Sequence, residues 1–437
     1  MSRICVIGTG YVGLVSGAGL ADFGNSVTCV DIDHEKIDTL QKGEIPIYEP
    51  GLKELVDRNV SASRLAFSSD VETSIQNAEV IFIAVGTPTG HNGEADLAAV
   101  ESVALTIAKN LNSYKVICTK STVPVGTGAR LEQLISENST QEHEFDIVSN
   151  PEFLREGSAV KDFLLPDRVV IGVSDKRAET ILRDVYRPLF INETPMVITN
   201  ISSSEMIKYA SNAFLAVKIS FINEMANLAD KVGGDIHSIA RAMGLDGRIS
   251  SKFLHPGPGY GGSCFPKDTE ALVQTGAQHG VQFQVVQAAI EANKTQRQII
   301  LEKVRELIPD MQGKRVAVLG LAFKANTDDV RDTPAVEIIQ GLMDMGAEIR
   351  AYDPIAAANM KKNYFPELDC RSSVNETVEG ADLVIVLTEW NELRGLSLKE
   401  FKSLVKTPNI VDARNILSVD QLKEYGFNYR NVGRSSV

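Results

Sequence analysis

The sequence predicts an α/β protein built from two doubly wound parallel sheets joined by a central helical segment. Three observations predict it. An internal repeat comes first: ICVIGTGYVG followed by SVTCVDID, and RVAVLGLAFK followed by EIRAYDP about 310 residues later, share one layout of apolar strand, glycine turn, helix, strand and terminal aspartate. Each copy is then followed by a second apolar strand entered through Ala and an acid, AEVIFIAVGTP in one half and ADLVIVLTEW in the other. Between the copies, from Ser202 to about Leu307, the pattern turns helical without convincing strands. The expected domains are therefore residues 1–200, 201–307 and 308–437.

Taken in order, the N-terminal stretch ICVIGTGYVGLVSGAGLADFG has the apolar character of a signal peptide, but glycines interrupt it and it runs on without a cleavage-site pattern. It reads as folded structure. Its glycines Gly8, Gly10 and Gly13 follow a strand and open a helix, and Asp31 ends the next strand, the Rossmann-like spacing for a dinucleotide. The bare backbone admits a pyrophosphate at the helix start, while the aspartate accepts from a ribose hydroxyl. Asp31 would repel a 2'-phosphate and favours NAD, although Lys36 leaves NADP open. The second copy has only Gly320 at the matching turn, so no dinucleotide is assigned there.

The segment SSSEMIKYASNAFLAVKISFINEMANLAD starts with Ser202 and Glu205 at capping-box spacing and continues without Pro or Gly to Lys231, which predicts one long helix. Its apolar residues fall on most faces. That distribution argues for burial against other helices, those of a second subunit included. QFQVVQAAIEANKTQRQIILEKVREL predicts a further helix, which leads through a turn at Gly313 into the second sheet.

With 437 residues, 43% hydrophobic and 23% charged, the chain can bury two or three cores. Its net charge of -13 repels phosphate backbones and anionic lipid, which argues against nucleic acid and membrane surfaces as partners. No run of apolar residues reaches membrane-span length, so a soluble, cytoplasmic protein is expected. Five scattered cysteines form no CxxC pair and fit a reducing compartment; the six histidines show no ligand spacing, and no metal is expected.

Several motifs could carry chemistry. VGTP, containing Thr87, and STVPVGT, containing Thr122, end apolar strands at the ligand edge of the first sheet, where turn chemistry explains them equally well. In NPEFLREGS, Asn150 is placed as an N-cap, Pro151 at the first helical position, and Glu152 and Glu156 one turn apart on one face. A solvated helix start is slightly favoured there over a water-activating carboxylate. FLHPGPGYGGSCFPKDTEAL is the strongest signal: Cys264 sits in a polar, glycine-rich loop with Lys267 three residues on and Asp268 beside it, a setting that lowers a thiol pKa. Cys5, Cys29, Cys118 and Cys370 adjoin apolar runs and read as core residues. Lys208 and Asn212, four apart, project from one face of the long helix; a lysine there is ordinarily a snorkelling surface residue, but a buried one could stabilise an oxyanion or exchange a proton. Lys324, Arg331 and Arg414 fall at the ligand edge of the second sheet, where basic residues would cradle a diphosphate.

These motifs together, GTGYVG, YEPGL, STVPVGT, NPEFLREGSA, GPGYGGSCFPKD and GLAFKANTDDVRDTP, resemble the UDP-glucose 6-dehydrogenase family along nearly the whole chain. The resemblance implies NAD-dependent oxidation of UDP-glucose to UDP-glucuronate, with two NAD per turnover. GDP-mannose and UDP-N-acetylmannosamine are the alternative substrates of related families, and the cysteine loop favours UDP-glucose. It implies Cys264 as nucleophile, with Lys208, Asn212 and Asp268 around the reacting carbon and Thr122 and Glu156 beside it. Cofactor contacts are implied at Gly8, Gly10, Tyr11, Val12, Gly13, Asp31, Lys36, Thr87, Thr122, Glu156, Lys267 and Arg331. Substrate contacts are implied at Glu152, Phe153, Leu154, Arg155 and Glu156, at Lys208 and Asn212, at Phe253, Leu254, His255, Pro256, Gly257, Tyr260 and Gly261, and at Lys324 and Arg414. Arg248 is implied to reach substrate in a neighbouring subunit, and hence a homodimer or higher oligomer through the long helix. Either Lys208 or Asp268 would take the first proton. A binding protein without chemistry would need none of Cys264, Lys208 and Asp268, and a two-electron hydroxyacid dehydrogenase would leave the cysteine loop without a task.

Overall fold

The computed structural model describes residues 1–90, 93–139 and 143–434. Short apolar runs such as VIFI (Val80–Ile83) and LVIV (Leu383–Val386) are buried at every position, as strands covered on both faces must be. The first sheet contains β1 (Arg3–Ile7), β2 (Ser26–Val30), β3 (Leu65–Ser68), β4 (Val80–Ile83), β5 (Lys115–Thr119), β6 (Phe145–Ser149), β7 (Val169–Gly172) and β8 (Met196–Thr199), in the order β3-β2-β1-β4-β5-β6-β7-β8. Its first six strands are parallel, with Cys5 opposite Thr28 and Ile81. The β6–β7 junction is antiparallel, through the pair Ser149 and Gly172. The second sheet contains β9 (Arg315–Leu319), β10 (Glu348–Tyr352), β11 (Asp369–Cys370), β12 (Leu383–Val386), β13 (Asn409–Asp412) and β14 (Asn428–Asn431), all parallel, in the order β11-β10-β9-β12-β13-β14.

The chain divides into two compact units, Met1–Ser211 with Gln274–His279, and Asn212–Val273 with Gly280–Val437. The long helix Ile201–Val232 gives its first turns to one unit and the rest to the other. Among the described residues no helix is long and apolar enough to cross a membrane.

Two local expectations fail for the same reason. The loop after β6 does not start a helix at Pro151; residues 150–155 are irregular, and the helix there is Ala159–Leu164, so Glu152 and Glu156 do not share a helical face. Asn150 is drawn into the core instead. Its amide donates to the Val170 carbonyl (2.8 Å) and its carbonyl oxygen accepts from the Tyr186 hydroxyl (2.7 Å). The capping box at Ser202 is likewise replaced: Asn200 accepts from the Ser203 N–H (2.7 Å), and Glu205 accepts from the N–H groups of Gly126 and Gly128, both at 2.8 Å, at the start of helix Thr127–Asn138. A carboxylate satisfies orphan donors of that distant helix more fully than those of its own.

Candidate active site

In the first unit, the turn after β1 is shaped by close approach. A Cβ on Gly13 would lie 1.8 Å from the Gly8 carbonyl oxygen, so glycine lets the helix Tyr11–Asp22 press against the strand end. Gly10 differs: a Cβ there would meet no protein atom within 4 Å, so its bare face borders space that a ligand group can occupy. Asp31 stands beside this turn. Its Oδ2 accepts from the Thr9 N–H (2.8 Å), the Thr9 hydroxyl (2.7 Å) and Lys36 Nζ (3.2 Å), while its Oδ1 accepts from the Asp33 N–H (3.1 Å). Burial works to raise the Asp31 pKa, but these hydrogen bonds and the lysine charge outweigh it and hold the group below the ordinary aspartate value. The donor set and the open face at Gly10 fit a dinucleotide whose ribose is met by a carboxylate.

The ends of β4 and β5 are tied together beside it. The Thr87 hydroxyl donates to the Thr122 carbonyl (2.9 Å), and the Ser121 hydroxyl donates to the Val85 carbonyl (2.7 Å). Beyond them the 151–158 loop is held at several points. Glu152 is buried and accepts from Lys208 Nζ at 2.8 Å through Oε1, both side chains being about 95% withdrawn from solvent (4% and 5% exposed). The Lys208 ammonium also lies 5.6 Å from the centre of the Phe153 ring, and Arg168 stacks on that ring at 3.5 Å. Arg155 pairs with Asp162. Lys208 is therefore no snorkelling surface residue.

Sequence reasoning missed Lys120. This lysine is buried, with Nζ 3.2 Å from Asn150 Oδ1, 3.4 Å from the Tyr186 hydroxyl and 5.9 Å from the centre of the Phe163 ring. Burial pushes its pKa down to about 8; Glu152 and Cys118 pull it back up, and Lys208 adds to the depression. Its only signal in the sequence is a lysine ending the apolar run VICTK, which reads equally as a solvated strand end.

In the second unit, Cys264 directly precedes helix Phe265–Gln278, and its carbonyl accepts the first helical bond from the Asp268 N–H (2.8 Å). The thiol is partly exposed and lies 3.5 Å from the Ser263 hydroxyl. Asp268 is 1% exposed; its Oδ2 accepts from Asn212 Nδ2 and its Oδ1 from Lys267 Nζ, both at 2.6 Å. The Lys267 charge is thus paired with Asp268, and Cys264 stands at the start of the helix. Cys5, Cys29 and Cys118 are buried in the first unit, and burial raises all three thiols, Cys5 to about 12. Cys370 is half-buried and also raised by burial.

The glycine-rich loop before Cys264 owes its shape to two helices and to the second sheet. Asn223 of the long helix accepts from the Gly257 N–H (2.8 Å), Asn293 accepts from the Tyr260 N–H (2.7 Å), and Gln296 donates to the Gly257 carbonyl (3.0 Å). A Cβ on Gly261 would stand 2.2 Å from the Asp332 carbonyl oxygen. Sequence reading took these glycines as exposing the cysteine; they also admit the neighbouring backbone. Leu254, Pro256 and Gly257 are buried, His255 is exposed, and Phe253 and Tyr260 pack on Phe265, with ring centres 6.1 and 6.0 Å away.

Arg414, just after β13, reaches Gly257: a Cβ there would lie 3.3 Å from its Nη1. The same guanidinium donates to the Leu387 and Phe323 carbonyls, each at 2.7 Å, and pairs with Glu389. Lys324 lies over the Phe323 ring at 5.2 Å, and Arg331 pairs with Asp329 (2.8 Å). Arg248, after helix Ile236–Leu245, pairs with Asp246 and is 89% exposed. Among the described residues no group of three or more His, Cys, Asp or Glu side chains could hold a metal ion.

A glycine turn beside a carboxylate, set on a doubly wound sheet within a match to an NAD binding domain, defines the class: an NAD-dependent oxidoreductase. Models of three domains match in sequence order: the NAD binding domain (residues 2–190), the central domain (202–295) and the UDP binding domain (317–419), all of the UDP-glucose/GDP-mannose dehydrogenase family. The chain is 50% identical over 436 residues to a UDP-glucose 6-dehydrogenase of Rhizobium meliloti (strain 1021), covering 99% of each. It is 47% identical to the UDP-glucose 6-dehydrogenase TuaD of Bacillus subtilis (strain 168), covering 100% of this chain and 94% of that one. Among solved structures, a UDP-glucose dehydrogenase from the archaeon Pyrobaculum islandicum matches with a TM-score of 0.93 and 36% identity, over 100% of this chain and 98% of that one. The chain belongs to the UDP-glucose/GDP-mannose dehydrogenase family, and its cofactor is NAD.

Proposed function

We infer that the chain oxidises UDP-glucose to UDP-glucuronate by four electrons through a covalent intermediate on Cys264. The support for this substrate is the identity to UDP-glucose 6-dehydrogenases along the whole chain, which sets GDP-mannose and UDP-N-acetylmannosamine behind it. One observation carries the chemistry: the single cysteine in a polar setting opens a helix whose first turn holds a buried aspartate bonded to Asn212 and Lys267.

NAD, when bound, would supply the hydride acceptor for each of the two oxidations, one NAD for each. The alcohol proton goes to Asp268 acting through a water, or to Lys208. The Cys264 sulfur adds to the aldehyde carbon, forming a C–S bond, and Lys208 and Asn212 donate to the resulting oxyanion. After the second oxidation a thioester remains. Water directed by Glu156 or Asp268 adds to its carbonyl, the C–S bond breaks, and carboxylate and free thiol are released. Thr122 and Thr87 line the cofactor side, with Gly8, Gly10, Tyr11, Val12, Gly13, Asp31, Lys36, Lys267 and Arg331; the 152–156 and 253–261 segments, Lys324 and Arg414 hold the nucleotide-sugar.

The working division remains residues 1–200 for NAD, 201–307 for the catalytic cysteine and dimerisation, and 308–437 for the UDP-sugar. Phe214, Phe221 and Leu228 recur every seventh residue of the long helix and are 65%, 46% and 53% exposed, an apolar stripe suited to a second copy, across which Arg248 would reach. The proposed setting is a homodimer in the cytoplasm. The test is stoichiometric: wild type should form two NADH per UDP-glucose and Cys264→Ser should lose turnover. One NADH per sugar, or an active Cys264→Ser enzyme, would overturn the covalent route; turnover of GDP-mannose alone would overturn the substrate.

A further inference from the structure

Glu49, in the YEPGL segment, has no part in the chemistry above, yet it is buried and fully engaged (7% exposed). Its Oε1 accepts from the Ala159 N–H at 2.7 Å, and its Oε2 accepts from the Gly157 N–H at 2.6 Å and from the Tyr11 hydroxyl. The Gly157 N–H also lies 3.2 Å from that hydroxyl. Tyr11 is the first residue of the helix that leaves the dinucleotide turn. Gly157 closes the loop that bears Glu152 and Glu156, and Ala159 opens the helix after it. One carboxylate therefore joins the cofactor turn to the loop assigned to the sugar.

The three bonds are of the strong, charge-assisted kind, and removing their acceptor would leave buried donors unmet. A purely structural role is the bland alternative. Ser158, at the N-cap of helix Ala159–Leu164, makes no side-chain capping bond, and Glu49 could simply supply that cap from a distance. The tyrosine argues for more, since a cap has no need of a hydroxyl from the dinucleotide turn. Burial, and the nearby carboxylate of Glu49, push the Tyr11 hydroxyl well above the ordinary tyrosine range, so it remains a donor at any working pH.

We propose that Glu49 is a positioning residue which couples the two ligands of the first unit, holding the 152–158 loop in register with the dinucleotide turn through Tyr11. The proposal rests on the substrate role assigned above to Glu152–Glu156. A ligand at the turn orders Tyr11, Tyr11 fixes Glu49, and Glu49 fixes Gly157 and Ala159. The second ligand then binds a loop whose ordering entropy is already lost, and by linkage the effect is reciprocal.

The experiment is calorimetric. NAD+ affinity is measured alone and with saturating UDP-glucuronate, a pair that cannot react further. Wild type should bind NAD+ about tenfold more tightly in the presence of the product. Glu49→Gln and Tyr11→Phe should each bring that factor within about twofold of unity. A purely structural cap would lower the melting temperature of Glu49→Gln while leaving the factor as in wild type. Should Glu49→Gln fail to fold, Tyr11→Phe decides, because it removes one hydroxyl and leaves the carboxylate with both backbone donors. A wild-type factor of one, or an unchanged factor in Tyr11→Phe, overturns the coupling while leaving the reaction standing. Failure of wild type to bind either ligand would instead overturn the assigned function, and the coupling with it.

Discussion

The turns after β1 and β9 match at Gly8 and Gly320, whose N–H groups donate to Val30 and Tyr352, and the next strand of each copy runs into an aspartate, Asp31 and Asp353; beyond the turn the copies part, since the helix starts at Tyr11 in the first and only at Pro334 in the second. Both sheets also place their first six strands in the same order. The two copies differ in what their aspartate does. Asp353 Oδ2 accepts from the N–H groups of Leu321 (2.8 Å) and Ala322 (3.1 Å) and from Trp390 Nε1 (3.0 Å), and its Oδ1 accepts from Ile355 (3.0 Å) and Ala356 (2.8 Å). Five protein donors leave it little capacity for a ribose. Asp31 has four, three on Oδ2 and one, the Asp33 N–H, on Oδ1, so one oxygen keeps capacity, and a Cβ on Gly10 would meet no protein atom within 4 Å. Both oxygens of Asp353 are thus filled from the protein, whereas Asp31 keeps capacity on Oδ1 beside an open turn.

The sharpest way to break this contrast is Asp353→Ala. It orphans four buried donors and one part-buried one, and the second sheet should lose on the order of 4 kcal/mol. Trp390 is the one tryptophan of the chain, so its fluorescence follows urea unfolding at that aspartate. A loss below about 1 kcal/mol would show that the donors find other partners. Gly10→Val comes next. Its side chain would fill the open face, so NAD+ affinity should fall roughly 100-fold, about 3 kcal/mol, with little change in melting temperature. An unchanged affinity would place the dinucleotide elsewhere. Asp31→Ala is milder, because a ribose hydroxyl keeps water as an alternative partner. About a tenfold loss of NAD+ affinity is expected from equilibrium titration, and an equal loss of stability to that of Asp353→Ala would erase the distinction.

Local pattern was enough for much of this. Strands buried on both faces leave uninterrupted apolar runs, and the GTGYVG turn with Asp31 keeps fixed spacing because the chain makes that site within about 30 residues. The failures share a different origin. Glu205 bonds to Gly126 and Gly128, Asn150 to Val170 and Tyr186, and Glu49 to Gly157 and Ala159, each across tens of residues or more. Capping rules look within one turn, so they assigned Asn150 and Glu205 to nearby helices. Nor could periodicity separate Lys208, buried on Glu152, from a snorkelling lysine, since both occupy the same place in the pattern.

Lys120 extends the contrast to a charge. It lies at the end of β5 in the first sheet, facing the Asn150 carbonyl groups, the Tyr186 hydroxyl and the Phe163 ring, with Glu152, Cys118 and Lys208 in electrostatic range. Its pKa in the folded chain is about 8 against an ordinary 10.5, so below pH 8 folding keeps an ammonium where burial disfavours it. Between these values the unfolded chain binds the proton and the folded chain does not. Stability should therefore rise with pH across this window, by at most about 1.4 kcal/mol per pH unit from this group. Lys120→Met removes the titrating group and leaves Tyr186 bonded to Asn150, so urea unfolding of the two proteins at pH 8, 9 and 10 isolates the contribution. The gap between variant and wild type should shift steadily in favour of wild type as pH rises. A gap that stays flat would mean that Lys120 keeps its proton to the ordinary lysine range, and that Glu152 compensates its charge more fully than burial opposes it.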